Sequence, residues 1–112
     1  MKKIMIAGNW KMNKSVADSL DFSIDLRNDE VSSHIDVILF PPFTSLERVH
    51  ESIKESYIKL GAQNVNQYDD GAHTGEVSVS MLKSVGCDYI LVGHSERRHH
   101  YHETNHVINE KL

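Results

Sequence analysis

Residues 89–98 read YILVGHSERR. Four apolar residues closed by a glycine predict a short strand buried on both faces, and the polar residues after it predict a helix with Ser95 and Glu96 in its first turn. His94 then lies at a strand-to-helix turn, where free backbone N–H groups and the positive end of the helix dipole favour a neutral imidazole. Such a ring accepts a backbone N–H at one nitrogen and can donate from the other to a substrate carbonyl. A structural histidine that ends a strand fits this stretch equally well.

The composition bounds the class of protein. With 112 residues and a net charge of -4, the chain suits one small domain, and its scattered acids argue against a nucleic-acid partner. No apolar run approaches the roughly 18 residues that a spanning helix needs, and no signal peptide is apparent, so no membrane partner is expected. The single cysteine, Cys87, is predicted to be a small structural residue in a reducing compartment. These features predict a soluble cytoplasmic protein.

Four short runs predict strands, each closed or followed by glycine or proline. They cover residues 3–8, 36–40, 57–61 and 89–92, and the first run is predicted to be a buried strand. Helical periodicity follows each run, and this alternation predicts an α/β fold with a parallel sheet and right-handed crossovers. The carboxyl ends of parallel strands share one face of the sheet. The polar clusters 9–11 and 94–96 can therefore converge although more than eighty positions separate them.

Helix starts and buried faces are also predicted. Two pairs have capping-box spacing, namely Ser15 with Asp18 and Thr44 with Glu47. Apolar stripes that are expected to face the sheet consist of Val16, Leu20 and Ile24, then Leu46, Val49 and Ile53, then Val79, Leu82 and Val85. Gly86 has the position of a C-terminal cap, and Thr104 can cap a last helix.

The segment 62–76 is long for a connection between a strand and a helix, where about 2 to 6 residues is usual. Its glycines and polar residues favour a protruding functional loop. The alternative is a mobile surface loop, since the charged side chains of Asp69 and Asp70 would be well solvated there.

Four motifs resemble the triosephosphate isomerase family and occur in the order which that family shows. They are AGNWKMN at 7–13, GAQN at 61–64, GAHTGEVS at 71–78 and VGHSERR at 92–98. The resemblance implies a (β/α)8 TIM barrel, of which residues 1–112 would be the N-terminal part with about the first four βα units. It further implies an isomerase of glycolysis and gluconeogenesis that interconverts dihydroxyacetone phosphate and glyceraldehyde 3-phosphate through an enediolate, with no cofactor and no metal.

The resemblance implies a role for each matched residue. His94 would be the electrophile that polarises the substrate carbonyl. Asn9 and Lys11 would bind substrate, and the Lys11 ammonium would help to stabilise the enediolate. Glu96 would support catalysis by pairing with Lys11 and keeping it charged. Without the resemblance, a solvated surface lysine and an acid at a helix N-terminus would be the simpler interpretations.

The long loop has a counterpart in the family. There the tip, residues 71–76, docks into the neighbouring subunit, so Thr74 and Gly75 are expected at a two-fold interface. Glu76 would pair with Arg97 at the same interface. The resemblance thus implies a homodimer for the full-length protein.

The chain departs from the family in its length. A full barrel needs eight strands and about 250 residues, whereas this sequence supplies four strands. The catalytic glutamate, the closing lid and the later phosphate-binding loops have no counterpart here, and Glu76 and Glu96 already match other family positions. We therefore expect residues 1–112 to be inactive alone and to fold poorly alone.

A second departure is His102, which stands where the family usually has glycine and would be strained at positive φ. It extends a histidine cluster of His99, His100, His102 and His106. The cluster motivates an alternative class, a non-catalytic half-barrel that serves as a structural or metal-binding module. Against metal binding, a cap at Thr104 would start the helix after His102 and take His102 and His106 off a common helical face.

Overall fold

Four parallel strands form the sheet in the computed structural model, which describes residues 2–112. The strands are β1 (Ile4–Asn9), β2 (Ile35–Phe40), β3 (Ile58–Ala62) and β4 (Tyr89–Ile90). They lie in the order β1-β2-β3-β4, and each neighbouring pair is parallel. The predicted α/β architecture is confirmed, and the order matches the first units of a (β/α)8 barrel.

Helices follow the strands as the alternation predicted. They are α1 (Val16–Arg27), α2 (Leu46–Ile53), α3 (Val79–Ser84), α4 (Ser95–His100) and α5 (Asn105–Lys111). The predicted caps at Ser15 and Thr104 are confirmed, because each side chain accepts a backbone N–H of its own helix. Within residues 2–112, no helix has the length and apolar character needed to cross a membrane.

The predicted capping box of Thr44 and Glu47 is wrong. Thr44 lies inside a 3-10 turn (Phe43–Ser45), and α2 begins only at Leu46. Ser45 is the N-cap and makes no side-chain capping bond. The chain enters the 3-10 turn directly from Pro42, so its first hydrogen bond runs from Ser45 N to Pro42 O, and the helix starts later than the spacing suggests.

The core lies between the sheet and α2 and α3. Its buried members from the helices include the predicted stripe of α2 and one residue of α3, namely Leu46, Val49, Ile53 and Leu82. Their partners from β2, β3 and the segment after it include Leu39, Ile58, Leu60, Ala62 and Val65. This packing fixes the carboxyl ends of β2 and β3, from which the next residues project.

The buried face of α1 differs from the prediction. Val16 and Ile24 are 36% and 37% exposed, whereas Ser19 and Ser23 are completely buried. Each buried serine pairs with a serine hydroxyl at 2.8 Å, Ser19 with Ser45 and Ser23 with Ser52. Small side chains let α1 approach α2 closely, and the hydroxyl pairs satisfy the buried polar atoms. The apolar stripe of α1 therefore does not face the sheet as a unit.

Both outer strands are more exposed than predicted. In β1, Ile4, Met5 and Ile6 are each about half exposed. The strand β4 contains only Tyr89 and Ile90, and both are half-buried. Each of these strands pairs on one side only in the described sheet, so an apolar run that would be buried between two neighbours remains partly open.

Candidate functional site

The carboxyl ends of the strands surround a cavity of about 320 Å³. Five predicted site residues line it: Asn9, Lys11, His94, Glu96 and Arg97. The end of β1 and the turn after it supply the first two, and the turn after β4 with the start of α4 supplies the others. The predicted convergence of the two polar clusters is therefore confirmed.

The orientation of His94 follows from its place at the N-cap of α4. Its Nδ1 lies 3.2 Å from the backbone N of Glu96, and a backbone N–H can only donate. Nδ1 is thus the acceptor of this bond, so a neutral ring would carry its proton on Nε2, the arrangement that the sequence predicted. The preceding Gly93 has φ +74°, a left-handed conformation that favours glycine and turns the chain into the helix.

Lys11 and Glu96 form the predicted ion pair although they lie 85 positions apart. The distance from Lys11 Nζ to Glu96 Oε1 is 2.6 Å, and both side chains are about half exposed. The hydrogen bond from Lys11 holds the pKa of the Glu96 carboxyl below its usual value. The pair keeps a cation at the cavity and leaves Glu96 ionised and occupied.

The backbone of Lys11 is strained, with φ +57°. A left-handed conformation costs a residue other than glycine on the order of 1–2 kcal/mol. The Asn9 side chain supports this turn, because its Oδ1 accepts the backbone N–H of Lys11 at 3.0 Å. Asn13 contributes a second local bond, from Nδ2 to Trp10 O at 2.8 Å.

Gln63, which lines the cavity, and Arg98, which lies close to it in the chain, received no role from the sequence. Gln63 directly follows β3, and its Nε2 donates to Lys11 O and to Phe40 O, each at 2.8 Å. Arg98 donates from Nε to Gly93 O at 3.1 Å, next to His94. Gln63 could have been found from the sequence, because it is a polar residue directly after a buried strand. A polar residue after a buried strand is also the signal that identified His94.

A buried carboxylate supports Arg97 from behind the cavity. Glu103 Oε2 accepts bonds from Arg97 Nε at 2.9 Å and Lys111 Nζ at 2.7 Å, and the side chains of Glu103 and Lys111 are only 3% exposed. Lys111 Nζ also donates to Asn64 Oδ1 at 2.8 Å. Burial raises the pKa of Glu103, but the bonds from Lys111 and Arg97 outweigh burial and leave it below its usual value.

Three of the four predicted interface residues lie away from the cavity, whereas the fourth, Arg97, lines it. Thr74, Gly75 and Glu76 are exposed, and Gly75 has φ +89°. Within the described chain, Glu76 Oε1 accepts a bond from Asn66 Nδ2 at 2.7 Å, while Arg97 binds Glu103. The pairing of Glu76 with Arg97 between subunits stays a prediction.

The histidine cluster does not assemble. The helix α5 begins at Asn105, so His102 lies outside the helix that holds His106. His102 has φ +57°, the strained conformation anticipated for it. Over residues 2–112, no group of three or more histidine, cysteine, aspartate or glutamate side chains could hold a metal ion. The metal-binding alternative thus gains no support from this part of the chain.

Comparisons with known proteins agree with this geometry. The family model described as Triosephosphate isomerase matches residues 4–112. Triosephosphate isomerase of Alkaliphilus metalliredigens (strain QYMF) is 49% identical over 112 residues, which are 100% of this chain and 45% of that protein. Triosephosphate isomerase of Chlamydia muridarum (strain MoPn / Nigg) is 47% identical over 109 residues, 96% of this chain and 40% of that protein. The chain thus spans less than half the length of these relatives, and it belongs to the triosephosphate isomerase family.

Proposed function

We propose that the protein containing this chain is a triosephosphate isomerase, and that residues 1–112 supply the N-terminal part of its active site. The observation that supports this most is the meeting of Lys11, Glu96 and His94 at one cavity from opposite ends of the sequence. The proposal assigns the protein to glycolysis and gluconeogenesis in the cytoplasm. Cell fractionation followed by an isomerase assay would test that location.

The proposed reaction moves one proton between neighbouring carbons. A general base removes a proton from the carbon next to the carbonyl of dihydroxyacetone phosphate, and the electron pair forms an enediolate. The hydroxyl proton of that carbon moves to the former carbonyl oxygen, and return of a proton to the former carbonyl carbon gives glyceraldehyde 3-phosphate, with no net oxidation. His94 Nε2–H donates to the substrate oxygen, and the Lys11 ammonium offsets its developing negative charge.

The base has to come from outside this chain. Among residues 2–112, Glu96 is the only acid that lines the cavity. Its bond to Lys11 lowers its pKa, so it is a poor proton acceptor as well as an occupied one. We therefore propose that residues 1–112 alone are inactive, and a purified 112-residue chain that isomerises dihydroxyacetone phosphate would contradict this.

We also propose a homodimer for the full-length protein, with Thr74 and Gly75 at the interface. The support is the exposure of the loop tip together with the family resemblance. In a two-fold dimer each subunit both gives and receives a loop. Sedimentation equilibrium should give twice the subunit mass, and a Gly75→Glu variant should shift the equilibrium towards the monomer. A monomeric wild type at micromolar concentration would refute the interface.

The catalytic proposal is tested in the full-length gene product by coupling glyceraldehyde 3-phosphate formation to a dehydrogenase. Lys11→Met and His94→Gln should each lower kcat/KM by roughly 100-fold or more, because each removes a group aimed at the developing charge. Lys83→Met makes the same change as Lys11→Met on the exposed face of α3 and should leave activity unchanged. Folding is checked by circular dichroism. An inactive wild type, or an unaffected Lys11→Met variant, would refute the proposal.

A further inference from the structure

Gln63 links the carboxyl ends of the first three strands. It follows β3 directly, and its Nε2 donates to Phe40 O at the end of β2 and to Lys11 O beyond the end of β1. Because both partners are carbonyl oxygens, only the NH2 side of the amide can face them, which fixes the orientation of the side chain. We propose that Gln63 is a positioning residue, whose NH2 group holds the backbone of Lys11 so that the ammonium reaches its place in the cavity. This inference rests on the proposed function.

The backbone of Lys11 needs such a restraint. A residue other than glycine stays in a left-handed conformation only where contacts with the surrounding structure hold it there. Two bonds hold the peptide units around Lys11: Asn9 Oδ1 accepts its N–H, and Gln63 Nε2 donates to its carbonyl. Asn9 belongs to β1, the strand from which the turn leaves, and the backbone N–H of Trp10 bonds to Phe40 O of β2 at 3.1 Å. Gln63 ties the carbonyl side of the turn to β3.

Gln63 is itself held by a rigid frame. Ala62 before it is completely buried, and Val65 two positions after it is 1% exposed. Both belong to the hydrophobic core. The Gln63 backbone is therefore fixed by core packing, and a site supported from a packed strand keeps its geometry better than a loop can.

The carbonyl of Lys11 and its ammonium are connected through one Cα. A change of ψ or φ at Lys11 therefore swings the side chain and moves Nζ away from Glu96, to which it is now bonded at 2.6 Å. A displacement of about 1 Å in a catalytic group can lower the rate by roughly 100-fold. The state of the Lys11–Glu96 pair thus reports whether Gln63 performs this role.

The test uses Gln63→Met in the full-length gene product, since methionine keeps the length of the side chain and removes both donated bonds. We expect kcat to fall by roughly 10- to 100-fold. We also expect the pKa of Glu96, followed by 13C NMR of its carboxyl carbon, to rise towards its ordinary value as the bond from Lys11 is lost. Gln67→Met makes the same change four positions along the chain, and both readings should match the wild type.

The outcomes separate positioning from a purely structural role. A Gln63→Met variant that leaves either kcat or the Glu96 titration unchanged overturns the proposal. If Gln63→Met does not fold, Gln63→Glu replaces it, because glutamate keeps the shape of the side chain without the neutral donor, and kcat and the Glu96 titration are measured again. If neither variant folds, Gln63 is needed for folding itself, and the proposal is overturned. An inactive wild type would refute the proposed function, while the Glu96 titration would still decide whether Gln63 holds Lys11.

Discussion

The buried charges behind the site permit a quantitative prediction for Glu103→Leu. The substitution removes the carboxylate that accepts bonds from Arg97 at 2.9 Å and Lys111 at 2.7 Å. Each charge-assisted hydrogen bond contributes about 1.5–3 kcal/mol. Arg97 is 31% exposed and regains water, so its share is discounted, but Lys111 is 3% exposed and retains only the neutral Asn64 oxygen as a partner. We expect a loss of about 3–5 kcal/mol in the free energy of unfolding.

Urea unfolding of the full-length gene product at neutral pH, followed by circular dichroism, measures this loss. The double variant Glu103→Leu/Lys111→Met removes both buried charges and should be at least about 1 kcal/mol more stable than Glu103→Leu alone. The exposed pair of Glu51 and Lys54 provides the control, and Glu51→Leu should leave the free energy of unfolding close to the wild-type value. A loss below about 1 kcal/mol for Glu103→Leu, or a double variant that loses the sum of both single changes, would refute the reasoning.

Three further predictions concern pH, a close approach and a strained residue. The folded-state pKa of Glu103 lies below its ordinary value of 4.5, so the unfolded chain takes up the proton first. The contribution of Glu103 to stability is complete above about pH 6 and is lost as the pH falls through 4.5 towards the folded-state pKa. Between pH 6 and about pH 3, the melting temperature of the wild type should therefore fall more than that of Glu103→Leu. A Cβ on Gly61 would overlap the Phe40 ring, so Gly61→Ala should cost about 1–3 kcal/mol in urea unfolding. A Cβ on Gly8 meets its nearest atom at 3.5 Å, so Gly8→Ala should cost less than about 1 kcal/mol. His102→Gly should raise stability by about 0.5–1 kcal/mol in the same assay, because φ +57° suits glycine, and a loss of stability would contradict the assignment of strain.

The sequence predicted the sheet because alternating short apolar runs and helical stripes allow few topologies. It did not predict which strands lie at an edge. The apolar run of β1 is the same whether one or two strands pair with it, so Ile4 and Ile6 were assigned to the interior and are half exposed. For α1, hydrophobic periodicity pointed to Val16 and Ile24, although small hydroxyl side chains made the close contact with α2. The small size of the serines and their hydroxyl pairs decided which face of α1 is buried. Hydrophobic periodicity reports neither of these properties.

The sequence predicted those site residues whose own position after a strand indicates a function. The strand ends indicated that His94 and Lys11 would meet, and the resemblance added the partner Glu96. The supporting residues were not predictable, because their roles depend on bonds between distant segments. Nothing in the local sequence shows that Gln63 reaches two carbonyls, or that Glu103 is buried between two cations.

Two anchors at opposite ends of one side chain explain how the candidate site controls a flexible cation. Lysine loses up to about 2 kcal/mol of rotamer entropy when its side chain is fixed. Here Gln63 holds the carbonyl of Lys11, while Glu96 holds its ammonium. Much of that ordering is therefore complete before any substrate arrives, so the charge does not have to be ordered at the moment when it acts. On this reasoning the resting Lys11–Glu96 pair is part of the preparation of the site, and the two anchors together should account for more of the activity than either of them alone.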